Sequence, residues 1–220
     1  MNLLIAAGPT REPIDPVRYL TNRSSGKMGY ALAAAARDAG HRVTLISGPV
    51  SLPPVEGATI RSVVTARDMY EAVEAHFDAC DALIMAAAVA DWTPAETQPH
   101  KIKKGAPEWM LRLVPTRDIL ASLSARKAHR LLVGFAAESQ DVLAQGRRKR
   151  DAKRCDLLVA NDITEEGAGF EVDTNRVVLL FADGREEPLP LMNKRDVAER
   201  ILAALEGLAA GRNASTHPSA

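Results

Sequence analysis

A long polar loop joins the first predicted strand to the first predicted helix, and its residue types suit anion binding. Residues 3–7 are apolar, residues 28–39 have helical periodicity, and the stretch from 8 to 29 reads GPTREPIDPVRYLTNRSSGKMG. An ordinary turn between a strand and a helix needs only about two to six residues. Glycines let backbone N–H groups approach an anion at the positive end of the helix. The candidate binding residues of this loop are Gly8, Thr10, Arg11, Arg18, Asn22, Ser24, Ser25 and Gly26.

The loop does not match the standard nucleotide-binding fingerprints. It has no GxGxxG, and Gly26-Lys27 has no glycine five residues upstream and is followed by Met28. A second interpretation therefore stays open, in which Ser24 and Ser25 cap the helix and the arginines are solvated.

Composition predicts one globular domain and excludes two classes of partner. A chain of 220 residues with 46% hydrophobic content can bury a sizeable core. Its 28 basic and 28 acidic residues give a net charge of zero, which argues against general nucleic-acid binding and against a membrane-surface role. We predict a domain over residues 1–208 and a disordered tail over residues 209–220.

Cysteine usage and the terminus predict a cytoplasmic protein. Cys80 and Cys155 form no CxxC pair, and neither they nor the five histidines make a metal-ligand cluster, so we expect buried free thiols. The first residues run directly into a strand without a leader pattern, and no apolar run approaches the ~18 residues that span a membrane.

Alternation of apolar runs and helical patterns predicts a Rossmann-like three-layer α/β fold with a mostly parallel sheet. The predicted strands cover residues 3–7, 42–47, 60–64, 83–88, 131–137 and 157–160, and the predicted helices cover residues 27–39, 67–79, 117–127 and 139–152. Residues 177–191 turn at Asp183-Gly184 and predict an added antiparallel hairpin. A closing helix follows over residues 193–208.

Five further segments carry residues suited to a nucleoside triphosphate. They are MAAAVAD (85–91), KIKK (101–104), PTRDIL (115–120), GFAAE (134–138) and QGRRKRDAK (145–153) with AND (160–162). Each also has a plain structural explanation. The small residues could serve a close helix–sheet contact, the lysines could be solvated, Thr116 could cap a helix and Phe135 could pack in the core. Together they predict a backbone cradle, an aromatic for stacking and two lysine clusters.

The motifs GPTREPIDPVRYLTNRSSGKMG, AAAVADW, KIKK, GFAAE and AND, in this order, resemble those of the phosphopantothenate-cysteine ligases, also called phosphopantothenoylcysteine synthetases. The resemblance covers about residues 2 to 205. In many bacteria this domain follows a flavin-dependent decarboxylase in one polypeptide. This chain is similar to a stand-alone synthetase or to an excised domain, and a separate decarboxylase would then be a partner.

The resemblance implies an enzyme of coenzyme A biosynthesis that joins 4'-phosphopantothenate to cysteine. It implies CTP as co-substrate, Mg²⁺, an acyl-cytidylate intermediate and a homodimer. Lys101 is assigned to activation of the acid, and Asn22 is assigned to the acyl-cytidylate, where its carboxamide would donate to the acyl oxygen. The family's nucleotide site falls on Met85, Ala86, Ala87, Asp91, Lys101, Arg117, Asp118, Ile119, Leu120, Phe135, Lys149 and Lys153.

Some assignments do not come from the family motifs. Arg11 and Arg18 are predicted on charge alone to bind the terminal phosphate of the substrate. Asn161, in the AND segment, is a further substrate-binding candidate. Arg117 stands where the family motif has proline. An NAD(P)-binding oxidoreductase is the alternative function, although it should show GxGxxG and an acid after the second strand. A non-catalytic nucleotide-binding regulator is a third, and it would be expected to lack Asn22 or Lys101.

Overall fold

The computed structural model describes residues 1–105, 108–164 and 172–216, and this part of the chain contains five helices and fourteen strands. The helices are α1 (Lys27–Asp38), α2 (Ala66–Phe77), α3 (Ile119–Ser124), α4 (Val142–Ala152) and α5 (Lys194–Thr216). The strands are β1 (Asn2–Ala7), β2 (Arg11–Pro13), β3 (Tyr19–Thr21), β4 (Arg42–Ser47), β5 (Thr59–Ser62), β6 (Ala82–Met85), β7 (Trp92–Pro94), β8 (Leu113–Pro115), β9 (Leu131–Glu138), β10 (Leu157–Asp162), β11 (Thr174–Asn175), β12 (Val177–Phe181), β13 (Glu186–Pro188) and β14 (Met192–Asn193).

Eight strands form the central sheet in the order β13-β12-β10-β9-β6-β1-β4-β5. The six strands from β10 to β5 in this order are parallel, whereas β12 and β13 add an antiparallel hairpin at one edge. This confirms the predicted α/β fold with its added hairpin. The chain order reverses between β1 and β6, and such a reversal opens a crevice at the carboxyl ends of parallel strands.

Alternate side chains of each central strand enter two separate cores. In β1, Leu3 and Ile5 pack under α1 and α5, whereas Leu4 and Ala6 pack under α2 and α3. All four are at most 1% exposed. Buried apolar area on both faces is what a parallel sheet between two helical layers requires.

Two small hairpins outside the central sheet were not predicted. The opening loop contains the antiparallel pair β2 and β3, and the segment after β6 contains the antiparallel pair β7 and β8. Each strand has three residues, which is too short to show a period of two in the sequence. The strands β2 and β7 pack against each other, so the two hairpins form one unit beside the sheet, and we name them the paired hairpins.

Helix α3 begins later than predicted because Asp118, not Thr116, is its N-cap. The Asp118 carboxylate accepts a hydrogen bond from the Ala121 N–H at 3.0 Å. The Thr116 hydroxyl instead donates to the Ala90 carbonyl. Strand β6 also ends at Met85, earlier than the predicted residue 88. None of the helices within the described ranges has the length and apolarity needed to cross a membrane.

The predicted end of the last helix at Leu208 is wrong, because α5 continues to Thr216. Residues 209–216, predicted as disordered, thus belong to the helix, and residues 217–220 lie outside the described part. Arg212 explains the extension. Its guanidinium donates to the His129 carbonyl at 2.9 Å and pairs with the buried Asp156 carboxylate. Asp156 also accepts from the Leu132 N–H at 2.8 Å, so the helix end is attached to the sheet.

We expect truncation after Leu208 to destabilise the protein relative to truncation after Asn213. The shorter chain loses Arg212 and its charge-assisted hydrogen bonds, which are worth about 1.5 kcal/mol or more. Urea unfolding followed by circular dichroism measures the difference, and Arg212→Ala in the full chain should reproduce it. Equal free energies of unfolding for both truncations would restore the disordered-tail prediction.

Candidate active site

A cavity of about 450 Å³ opens at the carboxyl ends of β1, β6, β9 and β10. This is the crevice that the reversal of strand order predicts. Its walls come from the end of the opening loop and α1, the segment after β6, the start of α3, strand β9, helix α4 and the start of α5. The lining residues are 22–29, 85–89, 91, 116–120, 135–137, Lys149, Lys153, Asn161, Ile163, Asn175 and Lys194.

Most of the sequence-predicted residues meet in this cavity. All the predicted nucleotide residues except Lys101 line it, and so do five of the predicted substrate residues: Asn22, Ser24, Ser25, Gly26 and Asn161. The elements that bring them together are separated by up to 139 residues of sequence. Their roles in binding stay predictions, but their shared location follows from the sheet topology.

The start of α1 depends on Gly26. Gly26 is the N-cap residue of α1 and makes no side-chain cap. Its φ of 78° lies in the left-handed region. A Cβ at this position would lie 2.6 Å from Val50 Cγ1. Neither Ser24 nor Ser25 is the N-cap residue, but their hydroxyls accept long hydrogen bonds from the Gly26 N–H at 3.4 Å and the Lys27 N–H at 3.5 Å, so part of the capping interpretation holds.

Gly29 lies where α1 crosses β1. A Cβ on Gly29 would lie 2.4 Å from Ala7 Cβ, so a side chain there would force the helix or the strand to shift. Gly29 therefore permits the close contact between α1 and β1 that brings the helix start over the end of the strand.

Asn22 is fixed by the segment after β6. Its Nδ2 donates to the Ala88 carbonyl at 3.2 Å and to the Val89 carbonyl at 3.0 Å. These two bonds use both amide hydrogens, so the group that Asn22 offers to a ligand is its Oδ1 acceptor. Donation by the carboxamide to an acyl oxygen stays a prediction, and it would require one of these two bonds to be given up.

Small side chains let the segment after β6 run close beside the opening loop. The Ala86 N–H donates to the Ala6 carbonyl at 3.0 Å, and the Ala88 N–H donates to the Gly8 carbonyl at 2.9 Å. Asp91 is exposed at the end of this segment and lines the cavity. A ligand can therefore reach backbone atoms here, with one carboxylate nearby.

Two lysines on α4 form ion pairs at the opposite wall. Lys149 Nζ lies 2.5 Å from Glu138 Oε1, and Lys153 Nζ lies 3.2 Å from Asp118 Oδ2. The half-buried Phe135 ring lines the cavity on the neighbouring strand. The positions of both ammonium groups are thus set by carboxylates, and an anionic ligand would compete with those carboxylates.

Arg117 contacts an aromatic ring although it stands at a departure from the family motif. Its guanidinium carbon lies 4.2 Å from the centre of the Tyr70 ring. Such cation–π contact holds the guanidinium at the cavity wall.

Five predicted site residues do not line the cavity within the described part of the chain: Gly8, Thr10, Arg11, Arg18 and Lys101. Thr10 is fully buried, and its hydroxyl oxygen accepts from the Ala90 N–H at 3.0 Å. It therefore joins the opening loop to the segment after β6. Arg11 stacks 4.7 Å from the centre of the Tyr19 ring.

Arg18 and the loop of Lys101 are tied together by Asp15. The buried Asp15 carboxylate accepts from Arg18 Nε at 3.0 Å and from the Ile102 N–H at 3.1 Å, and Arg18 donates to the Ile102 carbonyl at 3.0 Å. Mainly through Arg18, these donors hold the pKa of Asp15 well below its usual range. Both backbone groups of Ile102 are thereby fixed, and the exposed Lys101 lies directly beside it.

The prediction from charge alone places Arg11 and Arg18 at the substrate phosphate, whereas the structure places both on the paired hairpins. Two cavity lysines were missed instead. Lys27 begins α1 and Lys194 begins α5. Lys194 is far from every motif in the sequence, and only the packing of α5 beside α1 brings it to the cavity.

The two thiols take no part in this site. Cys80 and Cys155 are free and buried, as expected. Burial raises the pKa of Cys80 to about 12 and that of Cys155 to about 11. A thiol is nucleophilic only as the thiolate, so neither side chain is suited to covalent catalysis at neutral pH.

Comparison with known proteins gives a consistent result. Residues 1–208 match the family described as DNA/pantothenate metabolism flavoprotein C-terminal domain. The coenzyme A biosynthesis bifunctional protein CoaBC of Bacillus subtilis (strain 168) is 51% identical over 208 residues, which are 94% of this chain and 51% of that protein. The protein of the same name from Escherichia coli (strain K12) is 46% identical over 206 residues, 92% of this chain and 50% of that protein. The chain spans about half the length of these curated relatives.

Solved structures share the fold over nearly the whole chain. The C-terminal domain of a coenzyme A biosynthesis bifunctional protein CoaBC has a TM-score of 0.83 at 40% identity and covers 96% of each chain. A Cab2 mutant in complex with phosphopantothenate-cysteine has a TM-score of 0.81 at 17% identity and covers 98% of this chain and 88% of that chain. At that identity the second likeness supports the fold alone.

Proposed function

Because the chain belongs to the family of DNA/pantothenate metabolism flavoprotein C-terminal domains, we propose that it is a CTP-dependent phosphopantothenate-cysteine ligase of coenzyme A biosynthesis. The observation that carries the proposal is the cavity in which residues from four of the five motifs of the ligase family meet. The 40% identity to a CoaBC C-terminal domain over 96% of both chains supports it. The oxidoreductase alternative is not favoured, since β4 ends in Ser47 where a dinucleotide site needs an acid.

In the first half-reaction a carboxylate oxygen of 4'-phosphopantothenate attacks the α-phosphorus of CTP. The bond from this phosphorus to the β-phosphate oxygen breaks, and pyrophosphate leaves with both bonding electrons. An acyl-cytidylate remains. Charge grows on the leaving phosphates during this step, so positioned cations lower the barrier. Lys149 and Lys153, with the ring of Phe135, support a nucleotide placed along the wall formed by β9 and α4.

In the second half-reaction the amine of cysteine attacks the acyl carbon, the bond to the phosphate oxygen of CMP breaks, and the amine loses a proton. Asn22 suits this step as an acceptor. With its amide hydrogens bound to the Ala88 and Val89 carbonyls, its Oδ1 accepts an N–H of the attacking amine and orients its lone pair.

Magnesium fits the cavity in the way usual for nucleotide enzymes. There, Mg²⁺ is held by one or two carboxylates together with phosphate oxygens. The described residues offer no group of three His, Cys, Asp or Glu side chains that would hold a metal by itself. We assign Asp91 as the carboxylate, since Asp118 caps α3 and pairs with Lys153. When bound, the ion neutralises charge on the phosphates.

We propose that the chain acts as a homodimer through the paired hairpins. These carry six of the large exposed apolar side chains of the described residues: Val17, Tyr19, Trp92, Trp109, Met110 and Leu113, between 39% and 91% exposed. Large exposed apolar surface marks interfaces between proteins. We also propose a cytoplasmic location, with which the buried free thiols agree. A separate flavin-dependent decarboxylase would carry out an earlier step of the same pathway.

Lys101→Ala is expected to abolish pyrophosphate release from CTP, Mg²⁺ and 4'-phosphopantothenate. Losing one group that stabilises developing charge typically slows a reaction by about 10² to 10³. A coupled pyrophosphate assay on wild-type protein tests the proposed function itself, with ATP in place of CTP as the comparison. Lys101→Arg, which keeps the charge, should retain more activity. Release at the normal rate from Lys101→Ala would remove Lys101 from activation.

Asn22→Asp is expected to form the acyl-cytidylate but to react poorly with cysteine. A carboxylate at this position cannot donate to the Ala88 and Val89 carbonyls and is repelled by them, so the side chain leaves the position from which it orients the amine. Displacing an orienting group by about 1 Å can slow such a step roughly 10²-fold. Mass spectrometry of the quenched reaction, with and without cysteine, should detect the accumulated intermediate. Amide formation at the wild-type rate without accumulation would make Asn22 a purely structural residue.

Met110→Lys is expected to shift the protein from dimer to monomer in sedimentation velocity, because it places a charge in the proposed apolar interface. Leu191→Lys, an equally drastic change of an exposed leucine away from the paired hairpins, should leave the dimer intact. A wild-type protein that stays monomeric at micromolar concentration would contradict the proposal.

Dimers mixed from two variant chains show whether Lys101 serves the active site of its own chain or that of the second copy. Since Lys101 does not line the cavity of its own chain, it reaches the phosphates either by closure of its loop or from the second copy. Mixing Lys101→Ala and Asn22→Asp chains restores activity only in the second case, because one site of the mixed dimer is then intact.

A further inference from the structure

Two lysines from distant parts of the sequence meet at one wall of the cavity. Lys27 is the first residue of α1, Lys194 is the first residue of α5, and both line the cavity. The two helices pack side by side on the same face of the sheet. Lys149 and Lys153, which lie on α4 and at its C-cap, line the same cavity from another element.

Lys194 is buried to an extent unusual for a lysine. The residue is 6% exposed. Its backbone N–H donates to the Asp173 carbonyl at 2.9 Å, and its ammonium donates to the Val172 carbonyl. Taking an ammonium out of water is costly, and lysines are seldom buried to this extent. The position of Lys194 in the cavity lining places its charge where a bound anion would meet it.

Lys27 is close to the same place and is joined to it by Asp173. Its Nζ lies 2.6 Å from Asp173 Oδ1, and the Asp173 side chain is 86% exposed. The bond to Lys27 lowers the pKa of Asp173. Burial first, and then the charge of Lys27, lower the pKa of Lys194. The two ammonium groups therefore repel each other across a wall where the Asp173 carboxylate is exposed to solvent.

We propose that Lys194 and Lys27 bind a phosphate group of the ligand, and that this phosphate takes the place of the Asp173 carboxylate. A phosphate group brings at least two negatively charged oxygens, which can satisfy two ammonium groups at once. The lysine pair is then the part of the cavity that binds phosphate.

The identity of the phosphate depends on the proposed function. Under that function two ligands supply one, namely the phosphate chain of CTP and the terminal phosphate of 4'-phosphopantothenate. Inorganic pyrophosphate has the shared chemistry without either organic part, so it tests the lysine pair independently.

Isothermal titration calorimetry with Lys194→Met, which keeps the length and apolar stem of the side chain, tests the proposal. We expect pyrophosphate affinity to fall about ten- to a hundredfold, as loss of a charge-assisted hydrogen bond implies. Lys27→Met should act in the same direction. Arg195→Met is the matched control, because Arg195 is the next residue of α5 and pairs with Asp38 and Glu199 at the surface.

Paired ligands identify the source of the phosphate. If Lys194→Met weakens CTP binding more than CMP binding, the lysines contact the nucleotide chain. If it weakens 4'-phosphopantothenate more than pantothenate, they contact the substrate. Unchanged affinities for all of these ligands in folded Lys194→Met would overturn the proposal. Wild-type protein that binds pyrophosphate but neither CTP nor 4'-phosphopantothenate would refute the proposed function alone.

Asp173→Asn provides a test that does not perturb a buried residue. Removing the exposed carboxylate should tighten pyrophosphate binding severalfold, because the phosphate no longer competes with a neighbouring anion. Weaker or equal binding by Asp173→Asn would contradict displacement of Asp173, even if Lys194→Met failed to fold.

Discussion

The close approach of α1 to β1 is the contact on which the rest of the site depends. It requires Gly29, because any side chain there would collide with Ala7. Because α1 lies so close to β1, Gly26 reaches the end of that strand. A Cβ on Gly26 would lie 3.3 Å from Gly8 Cα. The helix start, Lys27 and the preceding serines are thereby fixed at the mouth of the crevice. Ala86, directly after β6, continues this packing, since a Cβ on Gly29 would lie 3.6 Å from Ala86 Cβ.

Opposite charges fix the cavity walls before any ligand binds. Lys149 and Lys153 are held by Glu138 and Asp118, and Lys27 is held by Asp173. The carboxylates keep the ammonium groups in place and limit their mutual repulsion. They also set a threshold for binding, because a ligand must compete with them. A phosphate-rich ligand meets that requirement better than a single carboxylate does.

The paired hairpins link the opening loop to the loop of Lys101. The Asp15 carboxylate accepts hydrogen bonds from the Arg18 side chain and from the Ile102 N–H. A movement of one loop therefore displaces the other. Thr10 makes a second connection, through Ala90, to the segment that holds Asn22. Lys101, assigned to activation, and Asn22, assigned to amide formation, are thus connected through hydrogen bonds to the backbone. Lys101 nevertheless lies outside the cavity lining of its own chain.

The central sheet, its helices and most of the lining of the cavity could be predicted from the amino-acid sequence. Residues 3–7 are apolar at every position, as a strand buried between two helical layers requires. The small residues after β6 follow the end of a strand, where ligands bind in such sheets. Charge alone did not predict where the arginines lie, because charge in a sequence does not reveal a partner, and their binding to the substrate phosphate stays a prediction. Asp15 pairs with Arg18 only after the hairpin of β2 and β3 forms.

Tertiary structure alone decided the direction of the Asn22 amide, the role of Gly29 and the presence of Lys194 in the cavity. Each depends on a contact with an element remote in the chain: the Ala88 and Val89 carbonyls, β1, and α1. No local pattern of residues encodes such contacts. The continuation of α5 past Leu208 has the same origin, since Arg212 finds Asp156 only when the helix already lies on the sheet.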